Sequence, residues 1–190
     1  MDGRVDEVLD FWIDEVGPQG WYAGDDGLDA AIRARFGALW DEGLAGGLRQ
    51  WLCAPRACLA LVILLDQFPR NMFRASARAF ASDHAALAAA KAAIGRGFDH
   101  RIPGDARQFF YLPLMHSEAL ADQERSVRLI LINFGRTCSL VHARAHRDVI
   151  RRFGRFPYRN AALGRATRPQ EQAFLDAGGY QAAMRAIETA

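Results

Sequence analysis

The chain of 190 residues is 51% hydrophobic and 24% charged, a balance typical of a soluble globular protein. A domain of this length can bury a core without disulfide or metal support. Its longest apolar run, residues 57–65, is about half as long as a membrane helix, so we expect no membrane segment. The acidic first residues are not followed by the apolar segment of a signal peptide, and we therefore expect a cytoplasmic protein.

The three cysteines, Cys53, Cys58 and Cys138, show neither metal-binding nor redox spacing. We interpret them as reduced thiols that pack like small hydrophobic side chains. No cofactor is expected.

The net charge of +2 conceals a gradient along the chain. Residues 1–51 hold eleven acids and four arginines, whereas residues 123–168 hold eleven arginines and two acids. Either the two ends of the chain pair with each other, or the basic segment binds an anionic partner. Basic and aromatic residues do not alternate as they do in a nucleic-acid groove, so nucleic acid is the least favoured partner.

Apolar residues at three- and four-residue intervals predict helices along the whole chain. In the first half the predicted helices cover residues 6–15, 28–44, 55–65 and 77–95, with a short continuation at 48–52. Gly17-Pro18 should end the first, and Pro69 should end the third or break its register. Because the third is apolar on every side, we expect it to be the buried central helix. The core should also take all four tryptophans, Trp12, Trp21, Trp40 and Trp51.

In the second half the predicted helices cover residues 105–114, 118–134, 139–153, 161–163, 170–175 and 181–187. Ser117 is the expected N-cap of the helix over 118–134. The expected inner stripe of that helix is Leu120, Val127, Ile130, Leu131 and Phe134. No stretch shows the alternation of a strand. The sequence therefore predicts an all-α protein of antiparallel helical hairpins in a single domain, residues 1–190.

Three blocks resemble one known family: LLDQFPRNMFR with ARAFASD after it, YLPLMHSEALADQE, and HRDVIRRFGRFPYRNAALGR. From Val8 to Leu175 the chain resembles a bacterial family that is known as domain of unknown function 924. The resemblance implies a tetratricopeptide-like α-α superhelix and no known activity. Within the blocks, residues 67–71 and 155–160 share a Phe-Pro step followed by Arg-Asn, and we expect the two steps to meet in space.

The polar residues of these blocks lie at predicted helix ends beside strongly apolar segments, where an unpaired charge would be costly. They are Asp66, Gln67, Arg70, Asn71, His116, Glu118, Asp122, His146, Asp148, Arg155, Arg159 and Asn160. One interpretation makes them interhelical locks. Asp66 would accept from Arg70 or Arg159, and His146 would be a hydrogen-bonded core histidine. Asn71 and Asn160 would satisfy free backbone groups.

A functional interpretation uses the same residues. Arg70, Arg155 and Arg159 would bind a carboxylate or phosphate, and the further ligand-binding candidates are Gln67, Asn71, Asp122 and Asn160. His116 or His146 would act as acid or base, oriented by Asp66 or Glu118. The catalytic candidates are therefore Asp66, His116, Glu118 and His146. His142 and His146 share a helix face, but no third ligand has a fixed spacing to them, so we predict no metal site.

Two functions follow from these patterns. The first is a binding or scaffold module whose helical hairpins recognise a peptide or a small anionic ligand. The alternative is a small cytosolic, hydrolase-like enzyme with an Arg/His/Asp pocket for an anionic substrate. The sequence leaves open whether the protein is an enzyme, and it does not predict an oligomeric state.

Overall fold

The structure, a computed structural model, describes residues 2–189. Helices, with the turns and loops that join them, make up these residues and no strand occurs among them, which confirms the all-α prediction. Within the same residues no helix has both the length and the apolar character needed to cross a membrane. The chain divides into two compact units, one up to Pro113 and the other from Leu114 onward. The single domain over residues 1–190 stays a prediction.

The N-terminal unit is built from six α-helices joined by short turns. They are α1 (Gly3–Leu9), α2 (Gly17–Gly20), α3 (Asp26–Leu44), α4 (Pro55–Val62), α5 (Phe68–Met72) and α6 (Asp83–Gly95). Two π-helical stretches, Asp10–Val16 and Ile63–Gln67, continue α1 and α4. The 3-10 turns are Arg49–Cys53, Ala77–Phe80, Asp99–Arg101 and Asp105–Phe110. Asp25 is the N-cap of α3, and its carboxylate accepts from the Leu28 N–H.

Helix α4 and the π-helical stretch after it form the centre of the N-terminal unit. Every residue from Cys58 to Gln67 is buried, which confirms the prediction of a central helix. The Phe68 ring follows directly and lies 4.8 Å from Phe36 and 5.4 Å from Trp12, centroid to centroid. All four tryptophans are buried, as predicted.

Gly17-Pro18 ends the first helix, as predicted: the helical stretch stops at Val16, Gly17 takes a positive φ of 63°, and Pro18 lies in the first turn of α2. Two other predicted boundaries in this unit are wrong. The helix predicted over residues 77–95 is divided, since Ser76 caps a separate 3-10 turn before α6 begins at Asp83. Residues 105–110 form a 3-10 turn rather than an α-helix.

The C-terminal unit is a helical hairpin with two further helices. Helix α7 (Leu112–His116) leads into it, and the rest are α8 (Leu120–Phe134), α9 (Cys138–Phe153), α10 (Pro169–Asp176) and α11 (Gly179–Glu188). Only residues 135–137 join α8 to α9, and the two helices pack against each other, so they run antiparallel. Helix α11 also packs on α9. The core of this unit includes Val149, Ile150, Phe156 and Phe174.

Helix α8 departs from its predicted start and its predicted inner stripe. It begins at Leu120, and Ser117 accepts from the Ala119 N–H before the helix instead of capping it. Leu120 and Leu131 are 44% and 41% exposed, so their assignment to the core is wrong. Much of the buried face is polar and is occupied by Asp122, Gln123 and Ser126 together with Val127 and Ile130. An apolar pattern cannot reveal such a face.

Two further predictions need correction. Residues 161–163 form a turn, because Asn160 accepts from the Arg165 N–H and closes the chain after a single 3-10 turn, Pro157–Arg159. Of the three cysteines only Cys58 is buried, so the interpretation as small hydrophobic residues is wrong for Cys53 and Cys138, which are exposed.

Candidate functional site

The helix around Pro69 widens instead of ending. The N–H of Phe68 donates to the carbonyl of Ile63, five residues earlier, which is the hydrogen bond of a π-helical turn. Pro69 lies in the first turn of α5, where its missing N–H costs least. The prediction that Pro69 breaks the register of the helix is therefore confirmed. This turn places Asp66 and Gln67 in the core of the N-terminal unit.

A buried hydrogen-bond chain replaces the donor that Pro69 lacks. Proline cannot bond to the carbonyl of Leu65, four residues earlier. The Ser82 hydroxyl donates to that carbonyl at 2.5 Å, and the Trp40 indole N–H donates to the Ser82 oxygen at 3.0 Å. Ser82 is fully buried. The start of α6 and the middle of α3 are therefore joined to the break in the central helix.

Asp66 and Arg70 form the lock that one interpretation of the sequence predicted. Asp66 is fully buried, and it accepts from Arg70 at 3.1 Å and from the Gln67 amide at 2.5 Å. Arg70 also donates to Asp83 at 2.8 Å. Burial opposes the charge on Arg70, but the two carboxylates outweigh it and raise the pKa of the guanidinium. Arg70 is thus held by internal acids, and its Nε is a buried atom without a hydrogen-bond partner.

Asn71 belongs to a second lock. The prediction that it satisfies free backbone groups is wrong, because it bonds to a side chain. Its amide donates to Asp29 on α3 at 2.9 Å. The same carboxylate accepts from Arg74 in two bonds, one of them at 2.8 Å. Both locks therefore hold α5 against its neighbours in the N-terminal unit.

In the C-terminal unit, the backbone around His116 is fixed by a buried glutamine. The Gln123 amide lies 2.6 Å from the carbonyl of Met115 and 2.6 Å from that of Ser117. It thereby satisfies carbonyls left free where α7 ends. Asp122, the neighbour of Gln123, accepts from the Ser117 hydroxyl at 2.9 Å. His116 is half-buried at this point.

Two catalytic candidates, His116 and His146, come together in a group of rings. Their ring centroids are 6.1 Å apart, and His146 also lies 4.7 Å from Tyr180 and 5.4 Å from Phe156. His142 Nδ1 is 2.6 Å from the Tyr180 hydroxyl. We call the set His116, His142, His146, Phe156, Tyr158, Arg159 and Tyr180 the imidazole–tyrosine cluster.

The imidazole of His146 is neutral and its tautomer is determined. Burial, with His116 and Arg159 nearby, lowers the pKa of His146 to about 3. Its Nδ1 is 2.9 Å from the carbonyl oxygen of His142, which can only accept, so Nδ1 carries the proton. Nε2 is then left as a hydrogen-bond acceptor. His146 is hydrogen-bonded, as the lock interpretation predicted, but its side chain is half-buried among the rings of His116, Phe156 and Tyr180 instead of lying in the core.

Arg159 supplies a positive charge to the cluster. It is 93% buried, and its guanidinium lies 4.5 Å from the centre of the Phe156 ring. The Tyr158 ring stacks on Phe156, with centroids 5.3 Å apart, and meets the Tyr180 ring edge-on at 5.8 Å. Tyr158 is 36% exposed, so the cluster reaches the surface of this unit.

Glu118 holds the segment that carries Arg159. Its carboxylate accepts from Arg165 at 2.7 and 3.0 Å and from the Phe156 N–H at 2.8 Å. Burial acts to raise the pKa of Glu118, but these donors outweigh it and the pKa lies below its usual value. Glu118 therefore does not orient His146, whose Nδ1 bonds to the His142 carbonyl instead.

Arg155 and Asn160 both bind a buried acid, Glu171. Arg155 donates to it twice at 2.7 Å, and the Asn160 amide donates at 3.1 Å. The Arg168 N–H adds a fourth bond at 2.8 Å. Mainly because of Arg155, the pKa of Glu171 is lowered to about 2. Asn160 thus bonds a side chain and not the free backbone groups that were predicted.

The outcome for the candidate residues is mixed. Asp66, Gln67 and Arg70 meet in the N-terminal unit, and His116, His146 and Arg159 lie in one cluster in the C-terminal unit. Asp148 is bound by Arg147 and Arg151 on α9. The meeting of the two Phe-Pro segments, and with it a bond from Arg159 to Asp66, stays a prediction. Among residues 2–189, no group of three or more His, Cys, Asp or Glu could hold a metal ion.

The sequence matches, over residues 8–179, the model of a family described as bacterial protein of unknown function (DUF924). The chain belongs to this family. A solved structure of a protein of unknown function, ATU0120 from Agrobacterium tumefaciens, is 40% identical to it. The similarity covers 92% of this chain and 97% of that one, with a TM-score of 0.87. The comparison with curated proteins gives no match.

In this DUF924 member, sequence reasoning missed several residues that build the two sites: Ser82, Gln123, Arg165, Glu171 and Tyr180. Ser82 lies inside one of the blocks that resemble the family. A proline inside a helix leaves one carbonyl without its N–H donor, and this free carbonyl was the sequence signal that a nearby hydroxyl such as that of Ser82 would be needed. Gln123 also lies in a block, on the polar side of the helix pattern. Tyr180 follows Gly178-Gly179 in a tail without a motif, and no local signal marks it.

Proposed function

We propose that the protein binds a small anionic ligand at the imidazole–tyrosine cluster of the C-terminal unit. The observation that carries the proposal is the convergence of three imidazoles and two phenols beside the guanidinium of Arg159. Phenols and neutral imidazoles both donate and accept hydrogen bonds, and arginine adds a planar, permanently charged donor for carboxylate or phosphate.

The charge of this part of the chain supports an anionic ligand. Residues 114–190 contain twelve arginines and seven acids, an excess of five positive charges. Such an excess raises the local concentration of anions and speeds their association. Among the acids of this unit, Glu118 and Glu171 are already bound by Arg165 and Arg155, while the charge of Glu188 acts on His142.

The size of the cluster favours a small ligand over an extended peptide. Its neighbouring ring centroids lie between 4.7 and 6.1 Å apart. The partly exposed Tyr158 offers a phenol donor, and the acceptor Nε2 of His146 can bind a protonated oxygen of the ligand, such as the hydroxyl of a phosphate monoanion. A peptide would require a longer groove, with pockets for successive side chains.

The protonation of His146 weighs against the enzyme alternative. A general base works best when its pKa is near the operating pH. With a pKa of about 3, His146 is neutral at pH 7 and removes protons poorly. His146 therefore suits hydrogen bonding to a ligand better than acid–base catalysis, and a hydrolase-like reaction would have to rely on His116.

Titration with inorganic phosphate and phenyl phosphate, followed by the imidazole proton signals in NMR, tests the proposal. We expect the signals of His116, His142 and His146 to shift with either anion, while those of His84 and His100, on the N-terminal unit, do not. Sodium chloride at equal ionic strength controls for screening.

An arginine pair makes the test specific. Arg159→Lys keeps the charge but loses the planar donor fork, and it should weaken binding about tenfold. Arg128→Lys, at an exposed position on α8, should bind like the wild type. The proposal fails if no cluster histidine responds at millimolar anion, or if the two variants bind equally.

A further inference from the structure

A groove of about 250 Å³ opens on the N-terminal unit, far in sequence from the imidazole–tyrosine cluster. It lies between the end of α3, the 3-10 turn Arg49–Cys53 and one face of α6. Its buried lining includes Leu48, Leu61, Leu65 and Ala89, whereas Ala88 and Ala92 are exposed at its rim. The groove is thus apolar inside and open to solvent.

Small side chains on α6 create this space. Four of the lining residues on this helix are alanines, at positions 85, 88, 89 and 92. Their spacing of three and four residues puts them on one face of the helix. The opposite wall includes Gly43, where an added Cβ would lie 3.2 Å from Leu65 Cδ2. Larger residues on either wall would therefore occupy the groove.

Arg49 is the charged residue among those that line the groove. Its Nε and Nη2 lie 3.5 and 3.7 Å from the position that a Cβ would take on Gly46, another lining residue. The guanidinium therefore lies over the wall at Gly46. Among residues 2–189, no Asp or Glu carboxylate forms an ion pair with it. An apolar groove thus carries one cation that no acid of the described chain neutralises.

We propose that this groove binds a short aliphatic carboxylate, with the alkyl chain on the leucine and alanine walls and the carboxylate on Arg49. Burial of an alkyl chain drives binding, and an unpaired guanidinium holds a carboxylate with two parallel hydrogen bonds. A cavity of about 150 Å³ already accommodates benzene, so the groove has room for a short chain. A partner helix, about 10 Å wide, is too large for it.

Calorimetric titration of the full chain with butanoate, hexanoate and octanoate, and with octan-1-ol, tests this proposal. Each added methylene should tighten binding about fourfold while the groove has room. Arg49→Gln should weaken octanoate binding about tenfold and leave octan-1-ol unchanged, because the alcohol makes no ion pair. Arg101→Gln, at an exposed position outside the lining, should bind like the wild type.

A rim variant tests the groove itself. Ala88→Leu keeps a strong helix former and fills the mouth, so it should weaken both octanoate and octan-1-ol. The proposal is overturned if octanoate does not bind at millimolar concentration. It is also overturned if Arg49→Gln binds octanoate like the wild type, or if Ala88→Leu leaves both ligands unaffected.

Discussion

His146 shows, at the scale of one residue, how burial determines a protonation state. In the unfolded chain its imidazole takes up a proton near its ordinary pKa of 6.5, whereas in the folded protein burial delays protonation to about pH 3. Between these values the unfolded state binds the extra proton, so stability falls as the pH falls from about 6.5 toward 3. Above pH 6.5 the imidazole is neutral in both the folded and the unfolded state, so the stability that is lost at lower pH is fully retained.

His146→Asn should therefore flatten the pH dependence of stability between pH 7 and pH 5, a range above most carboxyl titrations. The asparagine amide can still donate to the His142 carbonyl, so the packing of α9 is largely kept. Denaturant unfolding at several pH values measures the slope. His84→Asn, at an exposed position on α6, should follow the wild type; an unchanged slope for His146→Asn would contradict the burial argument.

At this scale the sequence revealed only contacts between near neighbours. Asp66 and Arg70 are four residues apart on a helix, a spacing that brings two side chains together without further knowledge of the fold. Glu118 and Arg165 are separated by 47 positions, and His142 and Tyr180 by 38. Such pairs depend on how helices pack, which one sequence does not show. For that reason Glu118 was predicted to orient a histidine, although it holds an arginine.

At the scale of elements, the break in the central helix is compensated from outside that helix. Pro69 leaves the Leu65 carbonyl without its helical donor, and Ser82 and Trp40 supply the missing hydrogen bonds. Two polar groups, the Leu65 carbonyl and the Trp40 indole, would lose their buried partner if Ser82 lost its hydroxyl.

Ser82→Ala should lower the free energy of unfolding by about 2 kcal/mol, the usual cost of leaving buried polar groups unsatisfied. Ser76→Ala, which removes an exposed cap of a 3-10 turn, should cost less than about 1 kcal/mol. Urea unfolding of both variants measures the difference. In a Pro69→Ala background the regained N–H can reach Leu65, so Ser82→Ala should cost less there. Equal costs in both backgrounds would contradict this role of Ser82.

Periodicity predicted the long helices well and the irregular ones poorly. Helices α3, α9 and α10 lie within a few residues of their predicted positions because each carries a clear apolar face or a proline at its start. The π-helical and 3-10 stretches were missed, since they differ from α-helix by one residue in their hydrogen-bonded ring and leave almost the same apolar pattern. The polar buried face of α8 was missed for a different reason, because an apolar pattern marks only apolar burial.

At the scale of the whole molecule, the distribution of aromatic residues allows the two units to be observed separately. All four tryptophans lie at or before position 51, inside the N-terminal unit, whereas Tyr158 and Tyr180 lie in the C-terminal unit. Tryptophan fluorescence therefore reports on the N-terminal unit, and far-UV circular dichroism reports on the helices of both.

If residues 1–190 form one cooperative domain, thermal unfolding followed by fluorescence and by circular dichroism should give the same midpoint. We expect coincident transitions. A dichroism signal that persists after the tryptophan transition is complete would show that the C-terminal unit melts on its own. Trp51→Phe, which leaves three tryptophans in the N-terminal unit, should preserve the coincidence.

The π-helical turn Ile63–Gln67 also bears on how this family can change. A π turn closes its hydrogen-bonded ring with one residue more than an α turn. A deletion of one codon there would restore an ordinary α-helix and rotate all later side chains by about 100°. Asp66 and Arg70 would stay on one helix face, but Arg70 would turn away from Asp83 on α6, and Pro69 would move out of reach of Ser82. Point substitutions in this turn should therefore be inherited far more readily than insertions or deletions.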